Sequence, residues 1–254
     1  MSFSTLITDD YDRRARLRPA LLVGLPLVLA VVSLFSDFSG MHFLVGFLAY
    51  FGFTALIAQL GRDEGKRLEP WLFEHWGGKP TTQVLRHRDS HLDMNTKERY
   101  HMALSGLLPL QSMPSATSEA THPGSADAAY DSCVLFLRDR TRDRMAFPLV
   151  YAENVNYGFR RNLWGMKKAG AAISTCALLA TVLLAILRSK SGIPPALPVA
   201  ASVINACMLV WWLLRITPEW VGVPAFAYAE RLLATCDALH QPYASKRAII
   251  TTAD

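Results

Sequence analysis

The stretch Ala169–Leu187, AGAAISTCALLATVLLAIL, runs for 19 residues without Asp, Glu, Lys or Arg, and Ser191–Leu214, SGIPPALPVAASVINACMLVWWLL, adds 24 more. A helix rises about 1.5 Å per residue, so roughly 20 apolar residues cross a hydrocarbon core of about 30 Å. Two further uncharged stretches of similar length, Pro19–Ser36 and Phe38–Gly61, lie earlier in the chain. The sequence therefore predicts four transmembrane helices.

The four stretches fall into two pairs. Asp37 alone separates the first pair, Arg188–Lys190 separate the second, and residues 62–168 lie between the pairs. Backbone amides in lipid find no water to bond, so each stretch is expected to be helical. We predict an all-α membrane protein in which two transmembrane hairpins flank a helical cytosolic domain. The predicted segments are an N-terminal segment 1–18, hairpin 1 at 19–61, the cytosolic domain 62–168, hairpin 2 at 169–216, and a C-terminal amphipathic helix and tail at 217–254.

The cytosolic domain is predicted to be helical around one loop. Helical stretches are expected at 62–76, 81–89, 95–107 and 129–146. Asp93 or Asn95 is the expected N-cap of the third stretch. Residues 109–128 are rich in Pro, Ser, Thr, Ala and Gly and lack apolar periodicity, which predicts a flexible loop.

The C-terminal segment carries an amphipathic pattern. Thr217 and Pro218 have the form of a helix start, and Gly222 and Pro224 are expected to interrupt that helix. Apolar side chains then follow helical spacing from Phe226 onwards, which predicts a helix that packs on the cytosolic domain or on another subunit.

Basic residues set the predicted orientation. Of the 26 Lys and Arg residues, 16 lie in 62–168, and the connection around Asp37 has none. Because cytoplasmic flanks of membrane spans are enriched in Lys and Arg, we expect both termini and the central domain to be cytoplasmic. A secretory signal peptide is the competing interpretation of residues 1–36, but no A-x-A-like cleavage site follows the long apolar run.

No motif for enzyme chemistry stands out. His87 and His91 lie four residues apart with Asp89 nearby, which superficially suggests a metal site, yet Asp89–His91 reads as a break between helices. The sequence has no Gly-rich phosphate loop and no GxSxG motif. Its four cysteines show no CxxC or CxxxH spacing. We predict no enzyme, no metal, no cofactor and no disulfide.

The spans contain only uncharged polar side chains, whereas their inner ends are basic. Rings of Arg or Lys at a pore mouth favour anions. The positive-inside rule alone also places basic residues there, and such residues can bind anionic lipid or a polyanionic ligand. If the protein forms a pore, the predicted pore or selectivity residues are Arg62, Lys167, Lys168, Asn205 and Arg215.

Two segments resemble a known family. They are Leu85–Asp93 (LRHRDSHLD) with Lys97–His101 (KERYH), and Glu153–Gly165 (ENVNYGFRRNLWG). They are similar to bacterial four-span membrane effectors of anti-phage defence loci, the channel components of Hailong-type systems. The resemblance implies an oligomeric, anion-permeable channel of the bacterial inner membrane that a DNA oligomer, made by a partner nucleotidyltransferase, holds shut.

The sequence offers a surface compatible with such a ligand, because basic and aromatic side chains contact phosphates and stack on bases. The predicted ligand-binding residues are Arg86, Arg88, Arg99, Tyr157, Arg160 and Arg161. We expect a homo-oligomer, with a tetramer as the working stoichiometry. The alternative is a membrane-anchored scaffold or sensor that binds a protein or nucleic acid without conducting, and a second rival is a membrane-bound enzyme acting through His87, Asp89 and His91.

Overall fold

The computed structural model describes residues 9–34, 40–109 and 112–240, with only the backbone at 40–49, 51 and 52. Helix makes up 82% of the structure, and the described ranges contain no strand. The helices are α1 Asp10–Leu34, α2 Gly40–His75, α3 Pro80–Gln83, α4 Met94–Leu107, α5 Ala116–Thr121, α6 Pro123–Arg140, α7 Pro148–Gly165, α8 Lys167–Lys190, α9 Ala196–Leu214 and α10 Pro218–Leu233.

The chain divides into two compact units. The first, which we call the membrane unit, comprises Met1–Pro70 and Val155–Val221. The second, the polar unit, comprises Trp71–Asn154 and Gly222–Asp254.

Helices α1, α8 and α9 are long and apolar enough to cross a membrane. Three of the four predicted spans therefore correspond to helices of the membrane unit. The fourth, Phe38–Gly61, lies partly outside the described residues. Its backbone is helical from Gly40 as the first part of α2, but the side chains of 40–49, 51 and 52 are not described. The fourth span thus stays a prediction.

Small side chains let the spans pack closely. The buried residues of α8 are Gly170, Ser174, Ala177 and Thr181, which recur every three or four positions along one face. Those of α9 include Ala201, Asn205 and Trp212 with the same spacing. On α1 the buried face is Pro19, Ala20, Val23, Gly24, Pro26, Ala30 and Ser33. Membrane helices associate through such faces because lipid provides no hydrophobic drive between them.

One apolar cluster joins several helices of the membrane unit at a common end. Its members include Ala20, Ala58, Met166 and Ile216, from α1, α2, the α7–α8 junction and the segment after α9. Glycines bring the backbones together there. A Cβ at Gly165 would lie 2.5 Å from the amide nitrogen of Gly65, so a residue larger than glycine does not fit at position 165 unless the backbone shifts.

The start of α1 departs from α-helical geometry. Arg13–Leu17 form a π-helical turn, and the side-chain amide of Asn162 on α7 donates to the carbonyl oxygen of Ala15 at 2.7 Å. Residues 1–18 were predicted as a segment preceding the first span, but the helix already begins at Asp10, where Asp9 accepts from the Tyr11 and Asp12 amides.

The polar unit has its own core. Val84 and Leu85, apolar residues of α4 and α6, and Ala229, Leu232 and Leu233 of α10 are buried together. The amphipathic spacing predicted for the C-terminal segment is therefore the face that packs in this core. However, α10 is continuous from Pro218 to Leu233 and contains Pro224, so the predicted interruption is wrong. Residues 235–240 are helical as well.

The largest correction concerns residues 109–128. Most of the predicted flexible loop is helical: α5 spans Ala116–Thr121 and α6 begins at Pro123. Ser115 caps α5 by accepting from the amide of Ser118. Glu119, inside α5, is buried and hydrogen-bonded, and this tertiary contact gives the short helix a fixed place that composition does not predict.

Other helix bounds differ from the predictions. The stretch predicted at 81–89 is helical only as α3, Pro80–Gln83, and continues as turns. The stretch predicted at 129–146 is α6, which starts at Pro123 and ends at Arg140. The predicted cap at Asp93 is present, because its carboxylate accepts from the Thr96 amide at 2.9 Å.

Candidate functional site: an intramembrane polar face and a cationic layer

Helices α8 and α9 form an antiparallel pair with a defined register. Near one end, a Cβ at Gly170 would lie 2.4 Å from the indole ring of Trp212. Further along, the hydroxyl of Ser202 donates to the hydroxyl oxygen of Thr181 at 2.9 Å. Between these two crossings, the register places Asn205 opposite 177–178.

Most hydroxyls of the three apolar helices form hydrogen bonds within their own helix. Thr175, Thr181 and Ser202 donate to carbonyl oxygens of the preceding turn at 2.8–2.9 Å. Asn205 differs, because its side chain is fully buried and neither its amide nitrogen nor its amide oxygen has a hydrogen-bond partner among the described residues. The hydroxyl of Ser174 on α8 is also fully buried, with no partner in the described part of the chain. A polar face with unmade hydrogen bonds thus lies inside the span helices.

A layer of exposed cations lies at one end of the spans. Arg18, Arg62, Lys168 and Arg215 are each within four residues of a member of the cluster formed by Ala20, Ala58, Met166 and Ile216. All four side chains are exposed, and within the described part of the chain none has a carboxylate at ion-pair distance. The guanidinium of Arg215 lies 5.8 Å from the centre of the Trp220 ring. We call these four residues the cationic layer.

Lys167, one of the predicted pore residues, makes hydrogen bonds at the end of α9. Its ammonium donates to the carbonyl oxygens of Ile216 at 2.7 Å and Leu213 at 3.2 Å, at the C-terminal end of α9. These carbonyls have no intrahelical partner, and a cation there is favoured by the helix dipole. Lys167 therefore caps α9, while its neighbour Lys168 belongs to the cationic layer.

Arg161, predicted to bind a ligand, is part of a buried ion pair. Its guanidinium donates to a carboxylate oxygen of Glu69 at 2.9 Å and to the side-chain oxygen of Asn162 at 3.1 Å. The hydroxyl of Tyr157 donates to the same carboxylate oxygen at 2.8 Å, and Lys66 donates to the other at 2.8 Å.

The Glu69 carboxylate stays ionised in this setting. Burial alone would raise its pKa, but the hydrogen bond from Lys66, the charge of Arg161 and the Tyr157 hydroxyl together lower the pKa below its ordinary value. The pKa of Tyr157 is raised by burial and by the charge of Glu69, so its hydroxyl remains a donor. Tyr157 and Arg161 therefore stabilise the α2–α7 contact within the membrane unit.

Arg160 is held on the other side of α7. Its guanidinium donates to the carbonyl oxygen of Trp220 at 2.8 Å and lies 4.7 Å from the centre of that ring. This contact positions α7 against the segment that follows α9.

Arg86 in the polar unit is likewise occupied. Its guanidinium makes two hydrogen bonds to the carboxylate of Asp127, at 2.8 and 2.7 Å, and a third to the carbonyl oxygen of Gly77 at 2.9 Å. The hydrogen bond to Asp127 raises the pKa of Arg86, although burial opposes the shift. A guanidinium fixed in this way has no fork left for a phosphate.

Arg88 and Arg99 are the exposed members of the predicted ligand set. The Nε of Arg88 lies 3.8 Å from Glu119, and the Nε of Arg99 lies 3.1 Å from Asp237. Of the six predicted residues, Arg86, Arg88 and Arg99 belong to the polar unit, whereas Tyr157, Arg160 and Arg161 belong to the membrane unit.

Sequence reasoning missed a buried polar network around Glu119. Its carboxylate accepts from the amide of His87 at 2.7 Å, the hydroxyl of Tyr130 at 2.9 Å and the amide of Arg88 at 3.4 Å. The Nε2 of His101 donates to the carbonyl oxygen of Leu85 at 2.8 Å, next to His87. No sequence signal pointed to Glu119, because its segment was predicted as a loop.

Two histidines of the polar unit, His87 and His101, belong to this network. His87 donates through Nε2 to the carbonyl oxygen of Pro114 at 2.9 Å, and burial lowers the pKa of His101. Within the described residues, no group of three or more His, Cys, Asp or Glu side chains is arranged to hold a metal ion.

Comparison with protein-family models, with curated proteins and with solved structures gives no match for this chain.

Proposed function

We propose that this chain forms, as a homo-oligomer, an anion-permeable channel in the bacterial inner membrane. The observation that carries the proposal is the cationic layer: Arg18, Arg62, Lys168 and Arg215 are exposed at one end of the spans, and none has a carboxylate at ion-pair distance among the described residues, although the charge of Arg62 acts on the Asp12 carboxyl. Symmetric assembly repeats such a layer around an axis. A ring of Arg and Lys at a pore mouth concentrates anions and repels cations.

The proposed subunit has four spans with both termini and the polar unit on the cytoplasmic side. Tyr50 supports the second span, because its hydroxyl donates to the carbonyl oxygen of Leu21 at 3.2 Å and its ring would lie 2.9 Å from a Cβ at Gly24. The α2 segment around Tyr50 therefore packs along α1, as expected for a hairpin. Basic residues at the shared end of the spans favour the cytoplasmic side for that end.

The proposal includes gating by a DNA oligomer that a partner nucleotidyltransferase makes. Fewer of the predicted basic residues are proposed to contact this ligand. Arg86 and Arg161 are committed to Asp127 and Glu69. Arg88 and Arg99 are exposed: Arg99 has a surface pair with Asp237, which a polyanion can displace, and Arg88 makes only a long contact of 3.8 Å with the buried Glu119. We propose these two residues as the phosphate contacts, and binding should weaken as salt is added.

The channel is tested by current through purified protein in a planar bilayer under an asymmetric KCl gradient. We expect a reversal potential near the chloride value. The triple variant Arg62→Gln, Lys168→Gln, Arg215→Gln should move it towards zero. The matched control, Arg138→Gln, Arg142→Gln, Arg144→Gln, removes the same charge from exposed positions of the polar unit and should leave it unchanged. Absence of current from folded protein, with and without a DNA oligomer, would contradict the proposal.

A scaffold or sensor is the second candidate. Exposed apolar side chains of the polar unit favour it: Met94, Met102 and Met145 are 74%, 68% and 84% exposed. Methionine is common on surfaces that adapt to several partners. This candidate predicts binding of a protein or nucleic acid by a chain that carries no current.

A further inference from the structure

Asn205 occupies a costly position. Its amide offers two N–H donors and an oxygen acceptor, and none of them has a partner among the residues that the structure describes, in a side chain with no exposed surface. A buried polar group without a hydrogen bond destabilises the arrangement that buries it. In lipid the cost is not relieved by stray water.

The surroundings show that this is not a general feature of the spans. Ser33 donates to the carbonyl oxygen of Leu29 at 2.7 Å, and Thr54 donates to that of Tyr50 at 2.7 Å. Thr181 and Ser202 also have partners. Among the described residues of α8 and α9, the other buried polar groups without a partner are the Ser174 hydroxyl and the indole N–H of Trp212, and Asn205 is the one of these side chains that leaves both donors and an acceptor unpaired.

The facing surfaces are built from small residues. The buried residues of α8 include Gly170, Ser174 and Ala177, and those of α9 include Ala201 and Asn205; α8 and α9 pack on each other, and α1 packs against both. Separating such a face costs the close packing that holds membrane helices together, and the unmade hydrogen bonds of the buried polar groups offset part of that cost. Separation would admit water to the Asn205 amide and the Ser174 hydroxyl.

We propose that this polar face of α8 and α9 lines the permeation path and that the described arrangement is its closed, dehydrated state. The proposal rests on the channel function proposed above and adds the lining helices and the gate. Hydration of Asn205 stabilises the open state relative to the closed one, so the unmade hydrogen bonds bias the equilibrium towards opening. The Asn205 amide is fully buried within one chain, so another subunit of the oligomer can contact it only after α8 and α9 have separated.

The test compares Asn205→Leu with Ile204→Leu. Leucine matches asparagine in size and removes the unmade hydrogen bonds, so it should stabilise the closed state and raise the melting temperature of the purified protein. Mean current per reconstituted protein should fall about tenfold or more. Ile204, half exposed on the neighbouring face, should tolerate leucine with neither change. An Asn205→Leu variant with wild-type current would overturn the gate.

A second measurement does not depend on current. Asn205→Cys and Val203→Cys are each made in a Cys176→Ser, Cys207→Ser background, which removes the exposed cysteines of the spans. A charged, water-soluble thiol reagent should modify the Asn205→Cys variant much faster than the Val203→Cys variant, whose position is exposed on the outer surface of the helix. Equal protection of both positions would overturn the proposed hydration, even if Asn205→Leu fails to fold.

The two proposals fail separately. Wild-type protein without current rejects the channel, and rapid modification of the Asn205→Cys variant would still support a hydrated second state. Wild-type current with a protected Asn205→Cys variant keeps the channel and rejects this lining face.

Discussion

Breaking the Glu69–Arg161 pair should destabilise the membrane unit, and the two single substitutions should differ. The side chains are 14% and 6% exposed, respectively, and their closest nitrogen and oxygen are 2.9 Å apart. In Glu69→Gln, the Arg161 guanidinium stays buried without a carboxylate. In Arg161→Met, Glu69 keeps Lys66 at 2.8 Å and the Tyr157 hydroxyl. Glu69→Gln should therefore be the more damaging change.

The size of the effect follows from the burial of the remaining charge. Removing one partner of a buried ion pair typically costs about 3–5 kcal/mol, because the other charge is left uncompensated. The stranded Arg161 guanidinium keeps its hydrogen bond to the Asn162 side-chain oxygen at 3.1 Å, which places Glu69→Gln near the lower end, about 3 kcal/mol. For a chain of this size, that corresponds to a fall in melting temperature of roughly 6–12 °C. The double variant should lose less than the sum of the two single variants, since neither charge is then stranded.

The assay is thermal unfolding of detergent-purified protein, followed by circular dichroism, for the wild type, both single variants and the double variant. Arg142→Met is the control, because Arg142 forms a surface pair with Asp139 and its loss should change the melting temperature little. Unchanged melting temperatures for both single variants, together with lost oligonucleotide binding in Arg161→Met, would refute the structural role and restore the predicted ligand role.

Three further predictions concern other parts of the chain. Burial would raise the pKa of Glu119, but its hydrogen bonds lower the pKa below the ordinary 4.5. The carboxylate therefore contributes stability above about pH 4.5, and this contribution is lost as the pH falls further. The Glu119→Gln variant should have a lower melting temperature than the wild type at pH 7, and its melting temperature should fall less on acidification; an identical pH profile for both proteins would contradict this. Gly165→Ala should lower the melting temperature because its Cβ would meet the amide nitrogen of Gly65, whereas Gly124→Ala, with nothing within 4 Å, should not; equal effects of the two would reject the tight contact. If Phe38–Gly61 spans the membrane, a fluorescent protein fused after the C-terminus should fluoresce in the cytoplasm and a phosphatase fused at Asp37 should be active in the periplasm; the reverse pattern would reject four spans with cytoplasmic ends.

The membrane helices could be predicted from sequence because the relevant physics is local. A stretch without charge and long enough to cross a bilayer must satisfy its own backbone, whatever the rest of the chain does. Ala169–Leu187 and Ser191–Leu214 correspond to α8 and α9 for this reason. The same argument could not predict that α1 starts at Asp10, because its first turns carry charged residues held by local pairs such as Arg16 with Asp12.

The predicted loop shows where local composition fails. Residues 109–128 contain many turn-forming residues, and these favour loops when nothing else acts on them. In the structure, Ser and Pro residues take helix-starting positions instead, at Ser115 and Pro123. Glu119 decides the outcome, since its partners His87 and Tyr130 lie 32 and 11 residues away. A single sequence carries no sign of that pairing.

The roles of the basic residues were unpredictable for a related reason. In the sequence, Arg86, Arg161 and Lys168 are simply three basic residues. The role of each depends on whether a carboxylate lies within ion-pair distance of it. Arg86 meets Asp127 across 41 residues and Arg161 meets Glu69 across 92, whereas Lys168 is exposed without such a partner in the described chain. Neutralising a paired cation strands a buried charge, so stability should fall. Neutralising an exposed, unpaired cation removes only its contribution to the electrostatic potential at the surface. Ion selectivity should then change while the melting temperature stays the same. A substitution at Lys168 that lowers the melting temperature as much as Arg161→Met, and leaves the reversal potential unmoved, would show that the unpaired cations serve folding and not conduction.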